Sequence, residues 1–344
     1  MLSSLIRRRW PIPVLVLVVA TAVVVGAVAT SSGDDGRTLV VYNGRAHYGN
    51  EEVFEEFTEA TGIEVELRGG NGPELFERLR QEGDDTPADV LVTTDMANLW
   101  RAKDAGLLQP ATTPTLEANI PEGLHDPEGY WWAISTRLRV PVVNTEAIDP
   151  AAITSYEDLG DPQYRGRTCL RTSSNEYNQS LVADMIAKRG EDATRELLES
   201  WMANDPEIIP SDGEMLEIIA AGDCDLGLSN HYYLGRILKD DPDFPVAPAW
   251  PDQDGAGAHT NVSGLGIVAG TDDYDMAVQF LEFMTSDAAE DHVVEGSEFA
   301  ANPDVPAPAW IADWAEVTKD PIVADEAGPL LADAVELMLA VGWR

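Results

Sequence analysis

Positive charge is scarce in this chain: 22 Lys and Arg stand against 61 Asp and Glu, a formal net charge of -39. The acids run through the whole length rather than forming a tail, which describes a solvated acidic surface. Such a surface repels phosphate backbones and excludes nucleic acid as a partner. It suits cationic ligands or a high-salt medium, and adaptation to salt is the plainer account. Cysteine is rarer still, with only Cys169 and Cys224, enough for one disulfide and no more. No His-Glu-x-x-His, Gly-x-Ser-x-Gly or phosphate-loop pattern occurs, so an extracellular enzyme, the alternative of a different class, would need an unrecognised site. Internal repeats are absent, and there is one long apolar run.

That run is N-terminal. Arg7-Arg8-Arg9 followed by apolar residues from Pro11 to Ala29, ending in Ala27-Val28-Ala29, has the parts of a secretory signal. Its length exceeds the usual apolar core of a signal, so residues 1–29 read as a signal peptide or an uncleaved membrane anchor. In either case the rest of the chain is exported, to the periplasm or the outer face of the cytoplasmic membrane. Export permits a Cys169–Cys224 disulfide. Both cysteines fall in apparent strands, Arg167 to Arg171 and Cys224 to Leu228, that could be neighbours in one sheet. Free buried thiols are the competing reading, and a Cα separation below roughly 7 Å decides between them.

At 344 residues and 44% hydrophobic content the chain can form two domains, each with a core. After a polar linker, 30–37, Thr38 to Tyr42 reads as a strand and Asn43 to Gly49 as the loop behind it. Helices over Glu51 to Thr61, Gly72 to Glu82 and Met96 to Ala105 alternate with strands over Gly62 to Leu67 and Ala88 to Thr94, the pattern of a parallel α/β lobe. Apolar content from Tyr130 to Asn144 predicts a strand that leaves one lobe and enters another, with Pro141 at an edge or bend. Gly166 to Arg171 reads as a strand, and Thr172 to Glu176 as the N-cap of a helix whose free N–H groups suit an anion or ordinary capping. Helices over Asp192 to Asn204 and Gly213 to Ala221 follow. Thr260 to Val268 predicts a strand returning to the first lobe, and helices span Tyr274 to Thr285, Asp287 to Glu295 and Pro329 to Val341.

The stretch with chemistry in it is Ser229-Asn230-His231-Tyr232-Tyr233-Leu234-Gly235-Arg236, between the Cys224 strand and a helix over Leu234 to Lys239. Ligands of open α/β sheets sit beyond the carboxyl ends of strands, and both phenols fall there. A phenolate is a hard anionic donor, available at neutral pH only if something strongly positive offsets a reference pKa of about 10. A trivalent metal ion does that. The plainer reading is a packing pair with its hydroxyls in water. A third keeps the fold and boxes an organic cation, or an oxyanion, with Trp131, Trp132 and Tyr232.

With Tyr232-Tyr233 at a second-lobe strand end and His47-Tyr48 in a first-lobe loop, the chain resembles the ferric-iron-binding proteins of bacterial ABC importers, which are two-lobed, transferrin-like solute-binding proteins. Val41-Tyr42-Asn43-Gly44, Phe57 to Ile63, Pro87-Ala88-Asp89-Val90 and Asn302-Pro303 carry the likeness. The cyanobacterial type adds Leu99 to Ala102, Ser173 to Ala183, Tyr232 to Arg236 and Asn261 to Gly264.

The resemblance implies an α/β, two-lobed periplasmic-binding-protein fold, each lobe a mixed, mainly parallel sheet flanked by helices, with a hinge between. Lobe 1 would span 38–137, lobe 2 138–260, a return to lobe 1 261–310, and C-terminal helices packed on lobe 2 311–344. Ferric iron (Fe3+) would be held by Tyr232 and Tyr233 and by His47 first or Tyr48 second, then passed to an ABC importer permease by a monomer. Two departures stand out: Val143 where some relatives have Tyr, and Thr94, with Asp95 beside it, where others have Glu. Two phenolates and a neutral His leave a trivalent ion one positive charge in excess, so water, Asp95 or a synergistic anion such as carbonate would complete the site. Arg137, Arg236, Arg45, Ser174, Asn175 and Asn230 would orient that anion or the phenolates, although each Arg, and Arg139 with them, could instead be an ion-pair partner among the acids. His231 and His259 read as solvated loop residues.

Overall fold

Each strand-to-helix turn is set by local chemistry that the sequence already carries. The computed structural model describes residues 37–45 and 52–344. The expected signal or anchor over 1–29, the linker up to Gly36, and His47 and Tyr48 lie outside the described residues. The first half runs β1 (Thr38–Asn43), α1 (Glu52–Thr61), β2 (Glu64–Gly69), α2 (Gly72–Glu82), β3 (Val90–Thr93), α3 (Met96–Asp104), β4 (Leu108–Gln109), α4 (Pro114–Asn119) and β5 (Trp132–Asn144). Gly62, at φ 70°, ends α1, so the second strand starts two residues later than the alternation predicts. Asn71 and Asp95 cap α2 and α3 by accepting from Glu74 N and Ala97 N. Gly44 lies so close to β3 that a Cβ would come 2.9 Å from Val92 O.

The second half runs β6 (Thr168–Arg171), α5 (Glu176–Arg189), α6 (Glu191–Ala203), β7 (Glu207–Ile209), α7 (Asp212–Ala221), β8 (Leu226–Asn230), α8 (His231–Asp240) and β9 (Val246–Pro248). The remainder is β10 (Thr260–Val268), α9 (Tyr274–Met284), α10 (Asp287–Glu295), β11 (Phe299–Ala300), α11 (Ala324–Ala327) and α12 (Leu331–Ala340).

Strand order is β2-β1-β3-β10-β5-β8-β6-β7. β1 is parallel to both its neighbours, and β6 is parallel to β7 and β8. The long strands that join the two parts, β5 and β10, pair antiparallel with each of their neighbours. β5 pairs with β10 from Trp132 to Leu138, then with β8 from Arg139 to Val143, so one fully buried strand belongs to both sheets. Pro141 sits where β5 has left β10 and not yet met β9, and its carbonyl accepts from Ala249 N. A missing N–H costs nothing at that gap. No helix among the described residues is long and apolar enough to cross a membrane.

Cys169 and Cys224 form a disulfide across β6 and the entry to β8, with Cα atoms 5.9 Å apart, which rules out the free-thiol alternative. At the C-terminus α12 packs on α5, and the buried Trp343 donates its indole N–H to Arg171 O at 2.8 Å.

Candidate metal centre

β8 runs straight into α8 with Asn230 as the N-cap, so Tyr232 and Tyr233 are the second and third residues of a helix rather than part of the corner before it. Their ring centroids are 4.4 Å apart with planes at 35°. Tyr232 is buried and Tyr233 half-buried. Asn230 Nδ2 donates to the Tyr232 hydroxyl at 3.4 Å, and Asn230 Oδ1 accepts from Arg139 Nη1 at 3.1 Å, which fixes the amide's orientation.

A third phenol joins them. Tyr177 stands in the first turn of α5, where Asn175 caps the helix by accepting from Tyr177 N at 3.1 Å. Its phenol lies close enough to those of Tyr232 and Tyr233 for both to act on its titration. Burial pushes the Tyr177 phenol above its ordinary pKa; the Arg137 charge pulls it down, Tyr233 and Glu176 push it up, and the nearby Tyr232 hydroxyl pulls it down. Neutral at physiological pH, this phenol gives up its proton only to a strong positive charge. Sequence reasoning read Thr172 to Glu176 as a cap and did not single out Tyr177 as a site residue. The signal that singled out the pair was present there too: a phenol in the first helical turn after a strand.

Guanidinium groups surround the phenols. Arg137, on β5 and buried, places Cζ 4.8 Å from the Tyr177 ring centroid; its Nη2 donates to Asp95 Oδ2 at 3.1 Å, and its buried Nη1 has no partner. Arg171, at the end of β6, places Cζ 5.7 Å from the Tyr177 ring centroid, lies close enough to Tyr233 for that phenol to raise its pKa, donates Nη1 to Asp212 Oδ2 at 2.7 Å and leaves Nε without a partner. Arg236 lies over Tyr232 at 4.8 Å and Tyr233 at 5.9 Å, and its Nε donates to Gly296 O at 2.7 Å.

Other expected residues have different surroundings. Arg45 binds Glu298 at 3.0 and 3.3 Å and Ser135 Oγ at 3.1 Å. Arg139 is enclosed by Asn178, Asp212, Asn230 and Leu228 O. Ser174 is exposed, its hydroxyl 3.0 Å from that of Thr172. Asp95 has no oxygen to spare: Ala97 N, Ser180 Oγ, Arg137 Nη2 and Asn261 Nδ2 all donate to it, at 2.9, 2.7, 3.1 and 2.9 Å. Val143 lies well along β5 from Arg137, in the core opposite Leu226.

The two histidines overturn the expectation of solvated loops. His231 is fully buried against Phe299, ring centroids 4.4 Å apart, and its Nδ1 accepts from Leu138 N at 3.0 Å. Burial pushes its pKa down to about 3, so it is neutral. His259 is buried with Nδ1 3.2 Å from Asp184 Oδ2. Both are tied to β5, His231 through Leu138 N and His259 through its carbonyl, which accepts from Arg139 N.

Two sheets sharing their long strands, with a polar cluster built from helix N-termini near the shared strands, define the two-lobed solute-binding class. The chain belongs to the bacterial extracellular solute-binding proteins, whose family pattern matches residues 52–319. Among curated relatives, iron uptake proteins A1 and A2 of Synechocystis sp. are 36% and 35% identical over 92% and 94% of this chain, and over 90% and 95% of their own lengths. Among solved structures, Trichodesmium FutA (IdiA) in complex with iron and citrate superposes with a TM-score of 0.83 at 35% identity, covering 89% of this chain and all of that one. The ferric-binding protein of Campylobacter jejuni gives 0.83 at 29% identity, with 89% and 100% covered. These neighbours carry the two-lobed periplasmic-binding fold.

Proposed function

We propose that this extracytoplasmic protein captures ferric iron through the phenolates of Tyr232, Tyr233 and Tyr177 and hands it to the permease of an ABC importer. A donor from the loop after β1 completes the set, His47 first and Tyr48 second. The observation that carries the reading is the packing of Tyr232 on Tyr233, ring centroids 4.4 Å apart, with Tyr177 close enough for both to act on its phenol. Phenols brought together inside a ring of guanidinium groups form a hard anionic donor set once a trivalent ion displaces their protons.

Charge accounting then differs from the two-phenolate case. Three phenolates neutralise a trivalent ion, and a neutral imidazole leaves that balance unchanged, so carbonate is not required. The partnerless Nη1 of Arg137 and Nε of Arg171 gain acceptors when the phenols beside them become phenolates. Those charge-assisted bonds favour the loaded form. Lobes over 38–137 and 138–260, with a return over 261–310 and the C-terminal helices on the second lobe, would close about the crossing strands.

The test is a titration with ferric salt, followed by the visible phenolate-to-iron charge-transfer band. The wild type is expected to give the band in carbonate-free buffer, and Tyr232→Phe with Tyr233→Phe to abolish it. An intact band in that double variant would remove both residues from the site.

A further inference from the structure

We propose that Glu176 is an interlobe latch, a positioning residue that clasps the start of α3 and so holds Tyr177 at the phenol cluster. Glu176 opens α5, which follows β6 of one sheet, whereas Thr94 and Asn98 sit at the β3-to-α3 corner of the other. Its Oε1 accepts from Thr94 Oγ1 at 3.0 Å and its Oε2 from Asn98 Nδ2 at 2.9 Å, so one carboxylate is held at both oxygens. One turn further along the same face of α5, Ser180 Oγ donates to Asp95 Oδ1 at 2.7 Å.

Two helix N-termini therefore meet across the molecule, each with a carboxylate between them. Both dipole ends are positive there, which is where a carboxylate is stabilised. Space for the clasp is built in on the first-lobe side: a Cβ on Gly72 would come 2.3 Å from Asn98 Nδ2 and displace the amide. Because Tyr177 is the next residue after Glu176, the contact that joins the lobes also fixes the helical turn that presents the phenol. Opening the latch frees both together.

Only the cargo-release part of the test rests on the ferric reading. Small-angle scattering of the cargo-free protein and the rate of iron loss to a chelator are measured for Glu176→Ala, for Glu176→Gln, and for Thr94→Val with Asn98→Ala. Glu176→Ala is expected to enlarge the radius of gyration and to speed iron loss about tenfold, the scale of losing two hydrogen bonds. Glutamine can accept from Asn98 and donate to Thr94, so Glu176→Gln recovers most of the compactness. The Thr94/Asn98 variant copies Glu176→Ala, and combining all three adds nothing further. A folded Glu176→Ala protein with wild-type radius and release rate, or additive effects from the two sides, overturns the latch. If the wild type gives no ferric band, the iron reading fails and the scattering comparison still decides the latch.

Discussion

The guanidinium of Arg137 lies over the ring of Tyr177, Cζ 4.8 Å from its centroid, while Nη2 holds Asp95 Oδ2 at 3.1 Å. One buried cation thus serves a phenol of the cluster and a carboxylate that caps α3. Lysine at 137 keeps the charge but loses the flat stacking surface and the fork. Arg137→Lys is expected to fold and to bind ferric iron about 10- to 100-fold more weakly, the range for residues that orient metal ligands, measured by competition with a chelator. Arg137→Met instead leaves Asp95 charged and unpaired, and is expected to lose about 3 to 5 kcal/mol of stability in urea titration. A methionine variant as stable as the lysine variant would mean Asp95 is protonated.

Tyr177→Phe separates a ligand from a packing residue. The ring stays under Arg137 and only the hydroxyl is lost, so the fold is expected to change by no more than about 1 kcal/mol, the worth of one hydrogen bond. Iron affinity is expected to fall more than about 100-fold, beyond the range of orienting residues, with a changed charge-transfer maximum. An unchanged maximum and affinity would make Tyr177 a neighbour of the site and restore the need for an anion.

The parts legible in the sequence are those with a long period. The ranges Gly72 to Glu82, Thr260 to Val268 and Asp287 to Glu295 match α2, β10 and α10 residue for residue, because each has a full periodic face and clear ends. Strands of two or three residues, such as β4, β7, β9 and β11, are too short for alternation to register and exist because a longer strand offers an edge. The Tyr pair was visible because two phenols stood side by side. Tyr177 was not, since its partners are 55 residues away and only the fold brings them together. Asp95 was read as a spare oxygen for the same reason: the donors that saturate it lie on β5, α5 and β10.

The disulfide is expected to act on the unfolded chain more than on the site. Cys169 and Cys224 close a loop of separation 55 and lie at the β6–β8 edge. The loop-entropy relation gives about 4 kcal/mol for that span. Replacing both with alanine should therefore lower the urea midpoint strongly while leaving ferric affinity within about twofold, because Asn175 caps the helix that carries Tyr177 and Asn230 donates to the Tyr232 hydroxyl. A large loss of affinity in a variant that remains folded would show that the bridge positions β8 and, through it, Tyr232.

Glu290 makes stability depend on pH in a direction opposite to a paired carboxylate. It is fully buried in α10, Oε2 accepts from Asn302 N at 2.6 Å, and Oε1 has no partner. Burial, opposed by backbone N–H donors, pushes the carboxyl up to about 9 from an ordinary 4.5. Between those values the folded protein keeps a proton that the unfolded chain releases. The stabilisation is therefore complete below the unfolded value and is lost as pH rises toward the folded one, by up to about 1.4 kcal/mol per pH unit. Glu290→Gln removes that slope and costs about 1 to 3 kcal/mol for an amide N–H left without an acceptor. Chemical denaturation at pH 5.5 and pH 8 should show the variant at its weakest relative to wild type at the lower pH, and level with or above it at the higher. Parallel pH profiles for the two proteins would mean that Glu290 is ionised in the fold, with its charge met by Arg45.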